Sequence, residues 1–204
     1  GPVAWYEAHI ESSEGLNVMG GLFPGAPTVG VGFTEEHGWG ATVNKPDLVD
    51  IYVLEINPQN PNQYRLDGEW RDLEVGEAKV KLKFWGFFPW SVKREVLRSV
   101  HGPALRTEHG VYAIRYAGIH EMKQVEQWLA MNKAKNFEEW RAAVALNHIQ
   151  SFNFVYANRH GDIHFIHNAQ LPVRAPGWNW QQYLPGDRSD LIWQSYHSIS
   201  ELPQ

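Results

Sequence analysis

Phe23 to Glu55 reads FPGAPTVGVGFTEEHGWGATVNKPDLVDIYVLE, and this stretch decides the fold class. Proline and glycine open it with a turn. Thr28 to Phe33 is rich in Gly and Val, the pattern of a buried strand in close contact with neighbouring backbone. Trp39 to Val43 is a second short apolar segment. Asp50 to Ile56 (DIYVLEI) is a strong strand, ended by the Pro- and Asn-rich run Asn57 to Gln63. Short strands follow one another here with no helix between them.

Strand signals continue on both sides. Val3 to Glu11 alternates apolar and polar residues, and Leu16 to Phe23 follows the Glu14-Gly15 turn signal. Ala78 to Trp85 sets Val80, Leu82 and Phe84 against Lys79, Lys81 and Lys83, which predicts one apolar and one solvated face. Lys93 to Val100 and Gly110 to Tyr116 are further strands. Two helices come next. Met122 to Met131 carries Val125, Trp128 and Leu129 on one face. In the second, Asn136 is the expected cap, Glu139 holds the acid position of a capping box, and Phe137, Trp140 and Val144 form the apolar stripe. Ser151 to Ala157 (SFNFVYA) then turns through Asn158 to Asp162 into Ile163 to His167, a hairpin by composition. The tail from Leu171, rich in Pro, Gly and Trp, reads as surface chain. Strands in blocks around a helical pair, without βαβ alternation, give an α+β class.

Composition narrows the function. At 204 residues, 43% hydrophobic and 20% charged, the chain is long enough to bury a core as one domain or two small ones. A net charge of -5 leaves no basic footprint for nucleic acid. The absence of cysteine excludes disulfides, cysteine zinc sites and thiol nucleophiles. No apolar run approaches the roughly 20 residues of a membrane span. Ten tryptophans read either as core packing or as the walls of an aromatic cleft.

Phosphate loops, GxGxxG and GxSxG elbows are absent from the sequence. His164 and His167 differ by an odd number and point to opposite faces of a strand, which argues against a shared metal. Asp47 and Asp50, with the Val49 carbonyl between them, read either as a solvated loop or as oxygen ligands for a hard cation. Asn153, an amide between two phenylalanines, reads either as a structural bridge or as a donor aimed at developing negative charge.

Taken in order, WYEAHI (Trp5 to Ile10), the Phe23 to Glu55 run, SVHGPAL (Ser99 to Leu105), NFEEWRAA, SFNFVYANRHGDI and LPVR (Leu171 to Arg174) resemble segments of the penicillin acylase family. The resemblance covers nearly the whole chain. It implies part of an Ntn-hydrolase αββα sandwich. In that fold an N-terminal residue, usually serine, attacks a linear amide with its own α-amine as base. The chain is then a single partial domain of the nucleophile-bearing subunit. Gly1 is not a nucleophile, so the resemblance implies that the attacking residue and a C-terminal part lie elsewhere in a parent precursor, and that this fragment is inactive alone.

Carried over by position, the Val43 N–H and the Asn153 side-chain amide form an oxyanion hole, and Arg174 orients the site. Asp47, the Val49 carbonyl and Asp50 match the family's calcium loop. Asn158 departs from the aspartate that many relatives carry, which bears on calcium affinity. The resemblance further implies N-acyl substrates such as penicillins or acyl-homoserine lactones, a periplasmic or secreted parent, and the remaining precursor segments as partners. The competing expectation is a non-catalytic module that binds ligands on its tryptophans.

Overall fold

A computed structural model describes residues 5–84 and 86–204. The expected strand residues Val3, Ala4 and Trp85, and the Gly1 position, lie outside the described residues. The chain forms two compact units. The first joins the stretch ending at Asp47 to His120–Pro172 and Ser195–Gln204; the second joins Leu48–Ile119 to Val173–Gln194.

In the first unit the chain begins with β1 (Tyr6–Glu11), β2 (Asn17–Leu22), β3 (Val31–Phe33) and β4 (His37–Thr42). The second unit then supplies β5 (Val49–Leu54), β6 (Ile56–Asn57), β7 (Asn60–Leu66), β8 (Glu69–Asp72), β9 (Glu74–Phe84), β10 (Phe88–Ser99), β11 (Gly102–Thr107) and β12 (Gly110–Tyr116). The chain returns to the first unit for α1 (Gln124–Lys133), α2 (Phe137–Val144), β13 (Ser151–Asn158) and β14 (Ile163–Ala169). A two-residue strand, β15 (Leu184–Pro185), lies in the second.

The first unit's sheet has the order β1-β2-β3-β4-β13-β14, antiparallel throughout. β2 and β3 approach closely because Gly20 and Gly32 are register partners. A Cβ on Gly20 would lie 2.2 Å from the Val31 carbonyl oxygen, and the buried Val29 side chain lies across both glycines. The Gly-Val pattern predicted that contact. One sheet face carries Val18, Leu22, Trp39, Phe154, Tyr156 and Ile166 into a core shared with Met131, Trp140, Ala143 and Val144 of the helices. Trp140 fills the centre, with its ring 4.8 Å from Tyr156 and edge-on to Phe154 at 6.3 Å.

α2 starts where expected. Asn136 is extended, and its side chain accepts from the Glu139 N–H at 2.9 Å. The Glu139 carboxylate returns to the Lys135 N–H at 2.9 Å, one residue beyond the usual reach of a capping box. α1 differs from expectation. Val125 and Leu129 are exposed; Trp128 packs against the core as expected, and the buried residues are Gln127, Met131 and Asn132. The helix docks through amides: Asn132 accepts from the Val29 N–H (2.8 Å) and donates to the Val29 carbonyl (2.9 Å). Gln127 accepts from the N–H groups of His148 (2.6 Å) and Ile149 (2.8 Å) and donates to the Val144 carbonyl (3.2 Å). Buried backbone groups need partners, and these two side chains supply them.

The second unit's main sheet has the order β15-β5-β12-β11-β10-β9, with β15 parallel to β5 and the other pairs antiparallel; β6-β7-β8 form a small second sheet. Its core gathers Tyr52, Leu54, Tyr64, Leu66, Leu97, Val111 and Leu184. Three expectations change here. The run Asn57 to Gln63 does not end strand structure, because Asn57 accepts from the Gln59 N–H (2.9 Å) and turns the chain straight into β7. β9 is an outer strand, so its apolar alternation does not mark a buried face: Val80 and Leu82 are exposed beside their lysines. The tail is not merely surface chain. Leu184, Leu191 and Trp193 are buried, and the Gly186 N–H donates to the Val53 carbonyl at 2.8 Å. Among the described residues no helix is long and apolar enough to cross a membrane.

Asn132→Leu is expected to destabilise the chain by at least about 2 kcal/mol, since it strands two buried backbone groups. Leu129→Ala on the same helix should cost far less. Urea unfolding of the two variants checks the order; the reverse order would restore an apolar docking stripe to α1.

Candidate active site

The first unit's sheet places three polar side chains in one row. Asn153 on β13 is the register partner of Thr42 on β4 and of His167 on β14. Directly opposed residues share a sheet face. The Asn153 Nδ2 donates to Thr42 Oγ1 at 3.3 Å, and its Oδ1 lies 3.0 Å from His167 Nδ1. A ring proton on Nδ1 donates to that oxygen and leaves the amide nitrogen turned towards the end of β4. Val43 follows Thr42 immediately, past the strand end, and the residue is 77% exposed. Antiparallel Cα pairs are about 4.5–5.5 Å apart, so the Val43 nitrogen lies within about 8 Å of the Asn153 Cα. Sequence positions 110 apart, by the numbering of Val43 and Asn153, thus meet at one strand end.

Beside that strand end is a cavity of about 510 Å³, within the usual range for small-ligand sites. Trp5, Phe23, Trp128 and Phe152 give it aromatic walls, and Ala41 and Val43 belong to its lining. The Trp5 and Phe23 rings pack at 4.1 Å, and a Cβ on Gly21 would come within 3.0 Å of the Trp5 ring. Trp128 meets Phe152 and Phe154 edge-on at 6.0 and 5.5 Å. Both readings of the tryptophans therefore hold for different residues: Trp39, Trp140 and Trp193 are core, while Trp5 and Trp128 wall the cavity.

Arg174 and Asp50 meet in the second unit. Asp50 is buried, and its Oδ2 accepts from Arg174 Nε at 3.0 Å and from Trp193 Nε1 at 2.6 Å. The Arg174 guanidinium also stands over the Trp180 ring at 5.5 Å. Arg115 stacks on Trp193 at 4.5 Å and donates to the Trp193 carbonyl at 2.9 Å. Burial first, and then the Asp50 charge, push the neighbouring Tyr52 phenol up, while the two arginines act in the opposite direction. Tyr52 stays a neutral donor, to the Leu191 carbonyl at 2.7 Å.

The family description "Penicillin amidase" matches residues 1–204, the whole chain. The chain belongs to the penicillin amidase family. Among its relatives is the acyl-homoserine lactone acylase PvdQ of Pseudomonas fluorescens, 28% identical over 151 residues, 71% of this chain and 19% of that protein. The penicillin G acylase of Escherichia coli is 25% identical over 196 residues, 88% of this chain and 22% of that protein. A solved structure of the thermostable penicillin G acylase from Alcaligenes faecalis superposes with a TM-score of 0.84 at 28% identity, covering 99% of this chain and 36% of that one. The chain spans about a fifth of the length of the curated relatives it matches. The α+β class and the Ntn-hydrolase fold expected from the sequence agree with this match, as does the expected family.

Two features of this penicillin amidase chain were beyond sequence reasoning. Nothing in the sequence pattern marks His167 as the side chain that fixes the Asn153 amide. The sequence also gives no sign that Asp50 Oδ2 accepts from both Arg174 and Trp193. Asp47 is exposed and belongs to the first unit, whereas Val49 and Asp50 open the second. No group of three or more His, Cys, Asp or Glu suited to a metal ion occurs among the described residues. Calcium takes six to eight oxygens, more than Asp47, the Val49 carbonyl and Asp50 supply by themselves.

Removing Asp50 breaks its 3.0 Å ion pair with the part-buried Arg174 and its bond to Trp193. Asp50→Ala is expected to cost about 3–5 kcal/mol. Asp190→Ala, which breaks the exposed Arg188–Asp190 pair, should have little effect. Denaturant unfolding of both variants is the check, and equal small losses would show the buried pair to be dispensable.

Proposed function

We propose that the parent of this chain hydrolyses linear amide bonds of N-acyl compounds, with an N-terminal nucleophile supplied from outside these 204 residues. The observation that carries the reading is the Asn153 amide, pinned by His167 on one side and presenting its nitrogen at the Thr42–Val43 end of β4. In this reading the nucleophile's hydroxyl oxygen adds to the amide carbonyl as its proton passes to the α-amine. The carbonyl oxygen becomes an oxyanion that accepts from the Val43 N–H and the Asn153 Nδ2. Two fixed donors at about 2.7–3.1 Å stabilise that charge more than the ground-state carbonyl. The tetrahedral intermediate collapses, the amine leaves with the returned proton, and water then hydrolyses the acyl-enzyme.

The cavity receives the acyl group, since its aromatic walls border Val43. Arg174 keeps the orienting role that the resemblance implies, its guanidinium held by Asp50, which in turn accepts from Trp193. The named relatives support amides of the penicillin or acyl-homoserine lactone kind. The reading extends to a periplasmic or secreted parent, and to a calcium ion at Asp47, Val49 and Asp50 completed by ligands from other precursor segments. The aromatic cavity also favours a second reading, a binding module without turnover.

In the parent protein Asn153→Ala should lower kcat by about 10²–10³-fold with little change in thermal unfolding, while the 204-residue chain alone gives no turnover of a chromogenic N-acyl substrate. An undiminished kcat in the variant would remove Asn153 from the oxyanion hole. A parent without any amidase activity would favour the binding module.

A further inference from the structure

Besides the indole N–H groups of Trp5 and Trp128, the cavity beside Val43 has polar side chains at Thr28, Gln124 and Gln150, and no ionisable residue belongs to its described lining. Two of the three form a unit. Gln124 Nε2 donates to Gln150 Oε1 at 2.9 Å. Both residues are half-buried and both stand on fixed backbone. Gln124 opens α1, whose next turn is anchored by Gln127, and the Gln150 carbonyl accepts from the Gln170 N–H at 2.9 Å just before β13. Each primary amide has two N–H donors and a carbonyl with two lone pairs. A single contact between them uses one donor and one acceptor, so the pair keeps capacity of both kinds at the cavity wall.

An unsubstituted methylene chain entering this cavity would take water from both amides and return no hydrogen bond, which is unfavourable. A chain bearing a hydroxyl or carbonyl oxygen at the right carbon would satisfy them. We propose that the Gln124–Gln150 pair is a specificity determinant, selecting acyl groups that carry a hydrogen-bonding oxygen along an otherwise apolar chain. The inference rests on the reading of the cavity as the acyl site. It assigns the pair no part in bond cleavage. A hydrogen bond exchanged against water favours the oxygenated ligand by about three- to tenfold.

The test is equilibrium binding to the 204-residue chain, which needs no nucleophile. Decanamide and a series of hydroxydecanamides, with the hydroxyl moved one carbon at a time, are titrated while following tryptophan fluorescence from Trp5 and Trp128, with calorimetry as the second measure. At least one isomer should bind about three- to tenfold more tightly than decanamide. The Gln124→Met/Gln150→Met double variant should abolish that preference and bind decanamide at least as well as the unchanged chain does. Decanamide binding as tightly as every isomer overturns the proposal and leaves the acyl-site reading standing; so does a double variant that retains the preference. Absence of binding by all of these amides overturns both. The ligand comparison on the unchanged chain decides the matter even where the double variant does not fold.

Discussion

The antiparallel register of β4 against β13 is the constraint on which the first unit depends. It pairs Asn153 with Thr42 and Tyr156 with Trp39, and so fixes both faces of the sheet together. On one face Trp39, Phe154 and Tyr156 enter the core under the helices. On the other, Thr42, Asn153 and His167 line up across three strands. A slip of one residue would move the whole set to the wrong face, burying an amide where Phe154 now packs. Packing energy and the geometry of the polar row are therefore enforced by the same pairing.

The helices keep that register through polar contacts as much as apolar ones. Trp140 supplies the bulk of the apolar anchor, but Gln127 and Asn132 satisfy the backbone of segments that otherwise end buried and unbonded. The same anchoring sets the start of α1, and with it the wall of the cavity that Gln124 and Trp128 provide. Stability and ligand shape are linked here through one helix.

In the second unit a buried charge organises the packing. Asp50 gathers Arg174 and Trp193, and Trp193 in turn stacks with Arg115. Buried ion pairs add little stability over an apolar replacement, but breaking one is costly. Such a group acts as a registration point: it ties the segment from Val173 onward to β5 with a specificity that aliphatic contacts lack. This is why a tail of Pro, Gly and Trp, which reads as surface, is held against a core.

The sequence by itself determined the α+β class, the hairpin at Asn158 to Asp162, the Asn136 cap and the close approach at Gly32, because each is a local pattern with a local physical cause. It also singled out Asn153, since an amide amid phenylalanines has to find partners. Tertiary structure alone decided which partners those are. His167 and Thr42 lie on different strands from Asn153, and one-dimensional periodicity carries no record of register between distant strands. The same limit explains α1, where apolar spacing marked Val125 and Leu129 while buried backbone groups selected Gln127 and Asn132. It explains β9 as well: alternation shows that a strand has two faces, but whether anything packs on the apolar one depends on its place in the sheet. Asp50 shows the same limit, because a carboxylate beside a turn carries no local sign of the distant arginine that the fold brings to within 3.0 Å of it.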